Sequence, residues 1–238
     1  DNVRVTWNIT IPANDTVYLS YYGSQRETAA QAATDFTIVK KIMGALTYET
    51  NSNISCGGTY YNLPSYFHYI SIPFDNEYTD EVATIWGKTL NCHGGRYQSY
   101  YYLTSAYGTS WDLSRNGGGI SDGVCDAFDS WGYELRVNGT RYNGRFTTTG
   151  AEGRAVVYGN QTMSGLQVSR VAYSPEGYSI PFIRYTDTFY NPTSSSITAT
   201  VQIYTNLGSD NSTVIYSTSS GDTALSTDDY WIITDDFS

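Results

Sequence analysis

The sequence predicts a mainly β protein, an antiparallel β-sandwich with one amphipathic helix in its N-terminal part. Three observations predict it. Apolar and polar residues alternate strictly over residues 2–11, which is the period of a half-buried strand. From Trp131 onward similar runs return at spacings of roughly 8–15 residues between turn residues, the rhythm of a sandwich. A single stretch, about Glu27 to Leu46, repeats its apolar residues every three or four positions, as a helix packed on a sheet does.

In the first strand Val3, Val5, Trp7, Ile9 and Ile11 share one face, and Asn2, Arg4, Thr6, Asn8 and Thr10 share the other. Pro12-Ala13-Asn14-Asp15 turns the chain, and Val17, Leu19 and Tyr21 resume the alternation. The helix carries Ala29, Ala32, Ala33, Phe36, Val39, Met43 and Leu46 along one stripe, with Lys40 and Lys41 late in it, where cations suit the helix dipole. Between residues 51 and 120 short apolar runs sit among Gly, Asn and Asp loops, and Tyr97 to Tyr107 is unusually aromatic. Asn116-Gly117-Gly118-Gly119 reads as a flexible loop near a subdomain boundary. The expected organisation is therefore an N-terminal β-rich region with the helix (1–120) and a β-sandwich part (121–238), packed as one continuous domain. In the second part Asn138-Gly139 between alternating runs is a strong hairpin signal. Further strands are expected at 155–158, 166–173, 182–190, 196–205, 212–219 and 230–234.

Composition narrows the function. The chain has 238 residues, 24 of them Tyr, with only 15% charged and a net charge of −10. That sign opposes nucleic-acid binding and an anionic bilayer. No apolar run reaches the ~18 residues of a membrane span, so membrane insertion is not expected. A surface of Tyr, Thr, Ser and Asn suits an extracellular or cell-surface protein, whose leader, if secreted, has been removed. Six Asn-x-Ser/Thr sequons, at Asn8, Asn14, Asn53, Asn138, Asn160 and Asn211, are candidate glycosylation sites. Cys56, Cys92 and Cys125 make an odd count, so one disulfide and one leftover thiol are expected. Cys56–Cys92 is favoured because both lie in Gly/Asn-rich loops, with three reduced thiols as the alternative.

The stretch from Ser121 to Asp236 contains Ser121-Asp122-Gly123, Asp126-Ala127-Phe128-Asp129, Leu135-Arg136-Val137-Asn138-Gly139-Thr140, Gln161-Thr162-Met163-Ser164-Gly165-Leu166, Asn191-Pro192-Thr193, Asn206-Leu207-Gly208-Ser209-Asp210 and Ser219-Ser220-Gly221-Asp222. With these turn and loop motifs it resembles a β-sandwich module of large, mostly uncharacterised bacterial secreted and cell-surface proteins. The resemblance covers about the C-terminal half and implies a fold rather than a chemistry.

The residues themselves offer little catalytic machinery. A nucleophilic hydrolase needs a base beside its nucleophile; His68 and His93 are the only histidines, and no G-x-S-x-G elbow is present. Cys56, Cys92, His93 and Cys125 lack the Cys-x-x-Cys spacing of a zinc site, and no Glu pair suggests a glycosidase. No enzyme activity and no required cofactor are expected. Asp122, Asp126 and Asp129 around Gly123 are candidate ligands for a structural calcium ion, which prefers hard oxygens on a short loop. Asp228-Asp229 and Asp235-Asp236 flank the last strand, where charge protects an edge from aggregation.

Two functions fit. One is a self-assembling structural protein, a filament, sheath or surface-layer subunit whose partners are copies of itself, with Val3, Val5, Trp7, Ile9 and Ile11 as an assembly strand donated to a neighbour or kept in its own sheet. The alternative is a non-catalytic carbohydrate-binding or adhesive module whose aromatic residues, Trp86, Trp111, Trp131 and the Tyr97–Tyr107 group among them, stack on glycans.

Overall fold

The structure, a computed structural model, describes residues 2–25, 30–33, 53–56, 59–62, 100–104, 109–123, 127–151, 154–174, 181–208, 213–229 and 231–236. The strands are β1 (Asn2–Ile11), β2 (Thr16–Ser24), β3 (Asn53–Cys56), β4 (Thr59–Asn62), β5 (Tyr100–Thr104), β6 (Ser110–Ser114), β7 (Glu134–Val137) and β8 (Thr140–Arg141). They continue with β9 (Phe146–Gly150), β10 (Ala155–Met163), β11 (Leu166–Tyr173), β12 (Phe182–Tyr190), β13 (Ile197–Asn206), β14 (Thr213–Thr218) and β15 (Ile232–Asp236). The protein is mainly β and its strands pair antiparallel, as the alternation predicts. Of the expected helix, residues 30–33 are helical and the rest lies outside the described residues.

Two sheets organise the fold. One has the order β1-β13-β7-β8 and the other β2-β12-β11-β10-β9, while β3–β4, β5–β6 and β14–β15 form separate pairs. Strands β1 and β2 therefore share sheets with strands from residues 121–238. Apolar residues of both sheets enter one cluster, including Ile11, Leu135, Val137, Ala199 and Val201 from the first, and Val156, Tyr158, Leu166, Val168, Ile183 and Phe189 from the second. Trp111, Leu113 and Ile120 complete it.

The chain passes between the sheets at two corners, residues 12–15 and 191–196, and Asn191 ties them together. Its side chain is fully buried. Nδ2 donates to the carbonyls of Ile11, Pro12 and Ser195, and Oδ1 accepts from the amide and hydroxyl of Thr193. The amide of Asn191 donates to the Asp15 carbonyl, and that of Asn14 to the Thr193 carbonyl. Carbonyls that leave a strand at a corner have no ladder partner, and a buried one without a partner is costly; the two hydrogens of one asparagine amide are shared among three of them. The Asn191-Pro192-Thr193 motif is thus a corner clamp.

At the centre lies a charge pair. Arg170 on β11 stands directly opposite Asp187 on β12, both on the face that carries Leu166, Val168, Ile183, Tyr185 and Phe189, and both are fully buried. The guanidinium uses all five of its hydrogens. Nε and Nη2 donate to the two Asp187 oxygens at 2.7 and 3.0 Å, Nη2 also to the Tyr21 hydroxyl, and Nη1 to the carbonyls of Gly117 and Tyr133 at 3.0 and 2.8 Å. Tyr21 in turn donates to Asp187. The Tyr185 ring lies 4.8 Å from the guanidinium, an attractive placement for a cation, and its hydroxyl donates to the Gly118 carbonyl. Burial alone would lower the pKa of Arg170, and the Asp187 carboxylate and Tyr21 more than reverse that, so its charge is secured. Burial pushes the Tyr133 phenol up to about 12 and raises those of Tyr21 and Tyr185 well above the usual phenol value.

This pair corrects the reading of residues 116–119. Gly117, Gly118 and Gly119 are buried, and the first two present their carbonyls to Arg170 and Tyr185. Their positive φ values, 78° and 67°, and the Tyr158 ring 2.6 Å from where a Gly118 side chain would begin explain the glycines without flexibility. Replacing one member of a buried ion pair strands the other charge and costs ~3–5 kcal/mol, whereas an apolar replacement of both is far milder. Arg170→Met and Asp187→Leu should each lower stability by that order, and the double variant should recover much of it. Denaturant unfolding of the three variants checks this coupling.

Candidate functional site

The strand expected to serve assembly, Val3–Ile11, pairs with β13 of its own chain over all ten residues, from Asn2 opposite Asn206 to Ile11 opposite Ile197. Its partner here is β13 of the same chain, and the corner clamp at Asn191 holds its end beside β12 and β13. Ile11 is fully buried, Trp7 and Ile9 pack against the core, and Val5 stays 42% exposed. Among the described residues β1 ends the four-stranded sheet and β2 ends the five-stranded one. A four-residue corner joins these two end strands. Among their nineteen strand residues Arg4 is the only charged one, and neither strand contains proline or shows a register shift.

The outer face of the first sheet is a ladder of polar cross-strand contacts. The hydroxyls of Thr10 and Thr198 lie 3.0 Å apart, Thr200 Oγ1 donates to Asn8 Oδ1 at 2.9 Å, and Arg4 donates to the Tyr204 hydroxyl at 3.1 Å. Arg136 stacks 4.4 Å above the Tyr204 ring and donates to Glu134, which also receives Arg141. The strand alternation produces this face directly, since every second residue of β1 and β13 points away from the core.

Of the sequon asparagines, Asn8, Asn14, Asn138 and Asn160 are all exposed. Asn8 lies on the ladder face; Asn138, with φ 48°, occupies the hairpin turn and accepts the Thr200 amide through its side chain. Asn53 is in β3 and Asn211 lies outside the described residues.

The remaining candidates are scattered. Asp122 and Asp129 sit on the expected loop, while Asp126 lies outside the described residues. What holds that loop is Asp112, which sequence reading missed: its carboxylate accepts the amides of Asp122 and Gly123 at 3.0 and 2.8 Å. Among the described residues no three His, Cys, Asp or Glu side chains come together as a metal site. Cys56 is in β3, and Cys92 and Cys125 lie outside the described residues, as do Trp86, Tyr97, Tyr107 and both histidines. Trp111 is wholly buried and so no sugar platform, Tyr101 is half-buried and stacks on Phe146 at 5.5 Å, and Tyr102 and Trp131 are exposed.

The acidic residues near the last strand do more than protect an edge. Asp229 accepts from the Ser220 and Ser226 amides and the Ser219 and Ser226 hydroxyls, which closes the loop between β14 and β15. Asp222 accepts from the Ala224 amide and the Thr218 hydroxyl. Comparison with protein-family profiles, curated proteins and solved structures gives no match.

Hydrogen bonds from the Ser226 amide first, then from Ser220 and the serine hydroxyls, hold the Asp229 carboxyl well below the usual carboxylate range, and the Ala224 amide does the same for Asp222. A pKa depressed by folding means that these groups stabilise the loop above their unfolded value of ~3.9 and lose that contribution as pH falls through the lower folded value. The 219–229 loop should therefore loosen below about pH 4 while the two large sheets stay intact. Amide exchange at Ser220 and Ser226, followed against pH, measures it, and Asp229→Asn should remove the pH dependence at both amides.

Proposed function

We propose that the protein is an extracellular structural subunit that assembles with copies of itself through its open sheet edges into a filament, sheath or surface layer. The observation that carries this reading is the pair of end strands β1 and β2. An edge strand exposes a row of unpaired amides and carbonyls, and proteins that remain monomeric guard such rows with lysines, prolines, bulges or short strands. Here, among the described residues, the ten-residue β1 ends its sheet with a single charge, and a four-residue corner joins it to β2, the end strand of the other sheet. Adding a strand to such an edge joins chains by main-chain hydrogen bonds, which need no particular side-chain chemistry.

Geometry sets what kind of assembly forms. The two sheets end on their other sides in β8 and β9. Like edges meeting about a twofold axis give a closed pair, whereas β1/β2 of one copy meeting β8/β9 of the next gives an open-ended series. The second arrangement is the one a filament or layer requires. The exposed sequon asparagines and the Thr, Asn and Tyr contacts of the polar ladder support an extracellular setting, and the reading assigns the protein no catalytic step.

A lysine at an exposed position of the edge should block addition without disturbing the fold. Thr6→Lys is expected to keep the circular dichroism and melting of the parent while abolishing higher assemblies in light scattering and negative-stain electron microscopy. Parent protein that stays monomeric up to its solubility limit, or a Thr6→Lys variant that assembles as well as the parent, overturns the proposal.

A further inference from the structure

β10 loses its regular pairing on both sides at one place. Against β11 the register shifts between Tyr158 and Gln161, and against β9 it shifts between Val157 and Tyr158, which leaves Thr147 without a Cα partner. Bulges bend a strand and re-aim its side chains, and here two of them coincide. The result is a groove of about 380 Å3 between the 142–145 segment and the bulged stretch of β10, at the small end of ligand sites, which run ~300–1,000 Å3.

The groove is built rather than incidental. Its floor is backbone. A side chain on Gly144 would begin 2.0 Å from the Tyr142 hydroxyl and 2.5 Å from the Gly159 carbonyl, so only glycine fits there. The Tyr142 hydroxyl donates to the Gly159 carbonyl at 2.7 Å, and the Gly159 amide donates to the Arg145 carbonyl at 2.8 Å. The walls carry Asn143, Arg145, Thr147, Asn160 and Gln161. Gln161 is fixed by the Asn143 amide, which donates to its Oε1 at 2.6 Å and leaves the Nε2 hydrogens for a ligand. No carboxylate lines the groove, in a chain of net charge −10, and among the described residues Arg145 makes no ion pair.

We propose that this groove binds a short saccharide segment bearing a carboxylate, a uronic acid unit of an acidic polysaccharide. Amide and hydroxyl side chains can both donate to and accept from sugar hydroxyls, and the Arg145 guanidinium matches a carboxylate with two parallel hydrogen bonds. A neutral sugar would leave that guanidinium unused, and a phosphate-rich polymer would meet one cation in an otherwise acidic molecule. The site adjoins β9, away from β1 and β2, and does not rest on the assembly reading; a copy docked at β8/β9 would crowd it. Asn160 is also a sequon residue, so a glycan attached there and a free saccharide would compete for the same space.

The test uses the full chain made in a host without N-glycosylation, with a galacturonic acid trisaccharide as probe and maltotriose as its neutral counterpart. Saturable amide shifts are expected at Asn143, Gly144, Gly159 and Gln161 with the acidic probe, and weaker ones with maltotriose. Arg145→Gln, at an exposed position, should weaken the acidic probe about tenfold or more, the scale of a lost charge-assisted hydrogen bond, and leave maltotriose unchanged. Protein from a glycosylating host should bind the probe poorly, and Thr162→Ala, which removes the sequon but keeps Asn160, should restore binding. No saturable shift at these amides, equal affinity of Arg145→Gln, or undiminished binding by protein glycosylated at Asn160 overturns the proposal.

Discussion

The fold depends on a fully buried Arg170–Asp187 pair. A charge removed from water is tolerated only if every donor and acceptor around it is engaged. That requirement reaches through four separate parts of the chain. Asp187 comes from β12, Tyr21 from β2, and the two carbonyls that receive Nη1 come from Gly117 and Tyr133. Gly117 must be glycine so that its backbone can turn inward, and Tyr21, Tyr133 and Tyr185 stack on one another at 5.4 to 5.9 Å around the guanidinium. An apolar centre would accept many packings of similar energy. A guanidinium with five assigned hydrogens accepts few, and it fixes how the 117–119 turn and Tyr133 sit against the five-stranded sheet.

Asn191 plays the same part at the rim. Where Arg170 gathers segments toward the centre, Asn191 gathers the two corners at which the chain changes sheets. Both residues act on backbone carbonyls, the groups least able to find a substitute partner once buried. The unusual tyrosine content follows from this plan: Tyr142 and Tyr185 are buried with their hydroxyls on the carbonyls of Gly159 and Gly118, so they supply apolar area and a donor together.

Most of the strand plan was legible in the sequence. β1, β11 and β12 match the expected 2–11, 166–173 and 182–190, because one face of each is apolar and the period of two survives in the residues. The strands that escaped were β3, β4, β5, β6 and β9. The first four lie in the stretch from 51 to 120, where short apolar runs sit among Gly, Asn and Asp, and Ser110–Ser114 hides its core residues Trp111 and Leu113 among polar ones. Asp187 and Arg170 were also missed, though a signal existed. Each stands on the apolar parity of its strand, Arg170 in line with Val168 and Ala172, Asp187 in line with Tyr185 and Phe189. A charge at an inward position on each of two adjacent strands is the mark of a buried pair. The groove at Gly159 could not be read, because Gly159-Asn160-Gln161 continues the strand in sequence and bulges only through its partners.

The order of the strands also sets a clock. β1 and β2 find their partners in β13 and β12, so these two strands wait for segments made much later. At ~5–20 residues per second of synthesis, the interval from residue 24 to residue 206 is roughly 10–40 s. Throughout it the alternating segment from Val3 to Ile11 has no ladder and no core to enter, and pairings this distant in sequence are slow to close. Holding that segment apart from its copies until Asn206 has emerged is a task for whatever handles the nascent chain. A chain cut short before β12 would keep both edge strands and have nowhere of its own to put them.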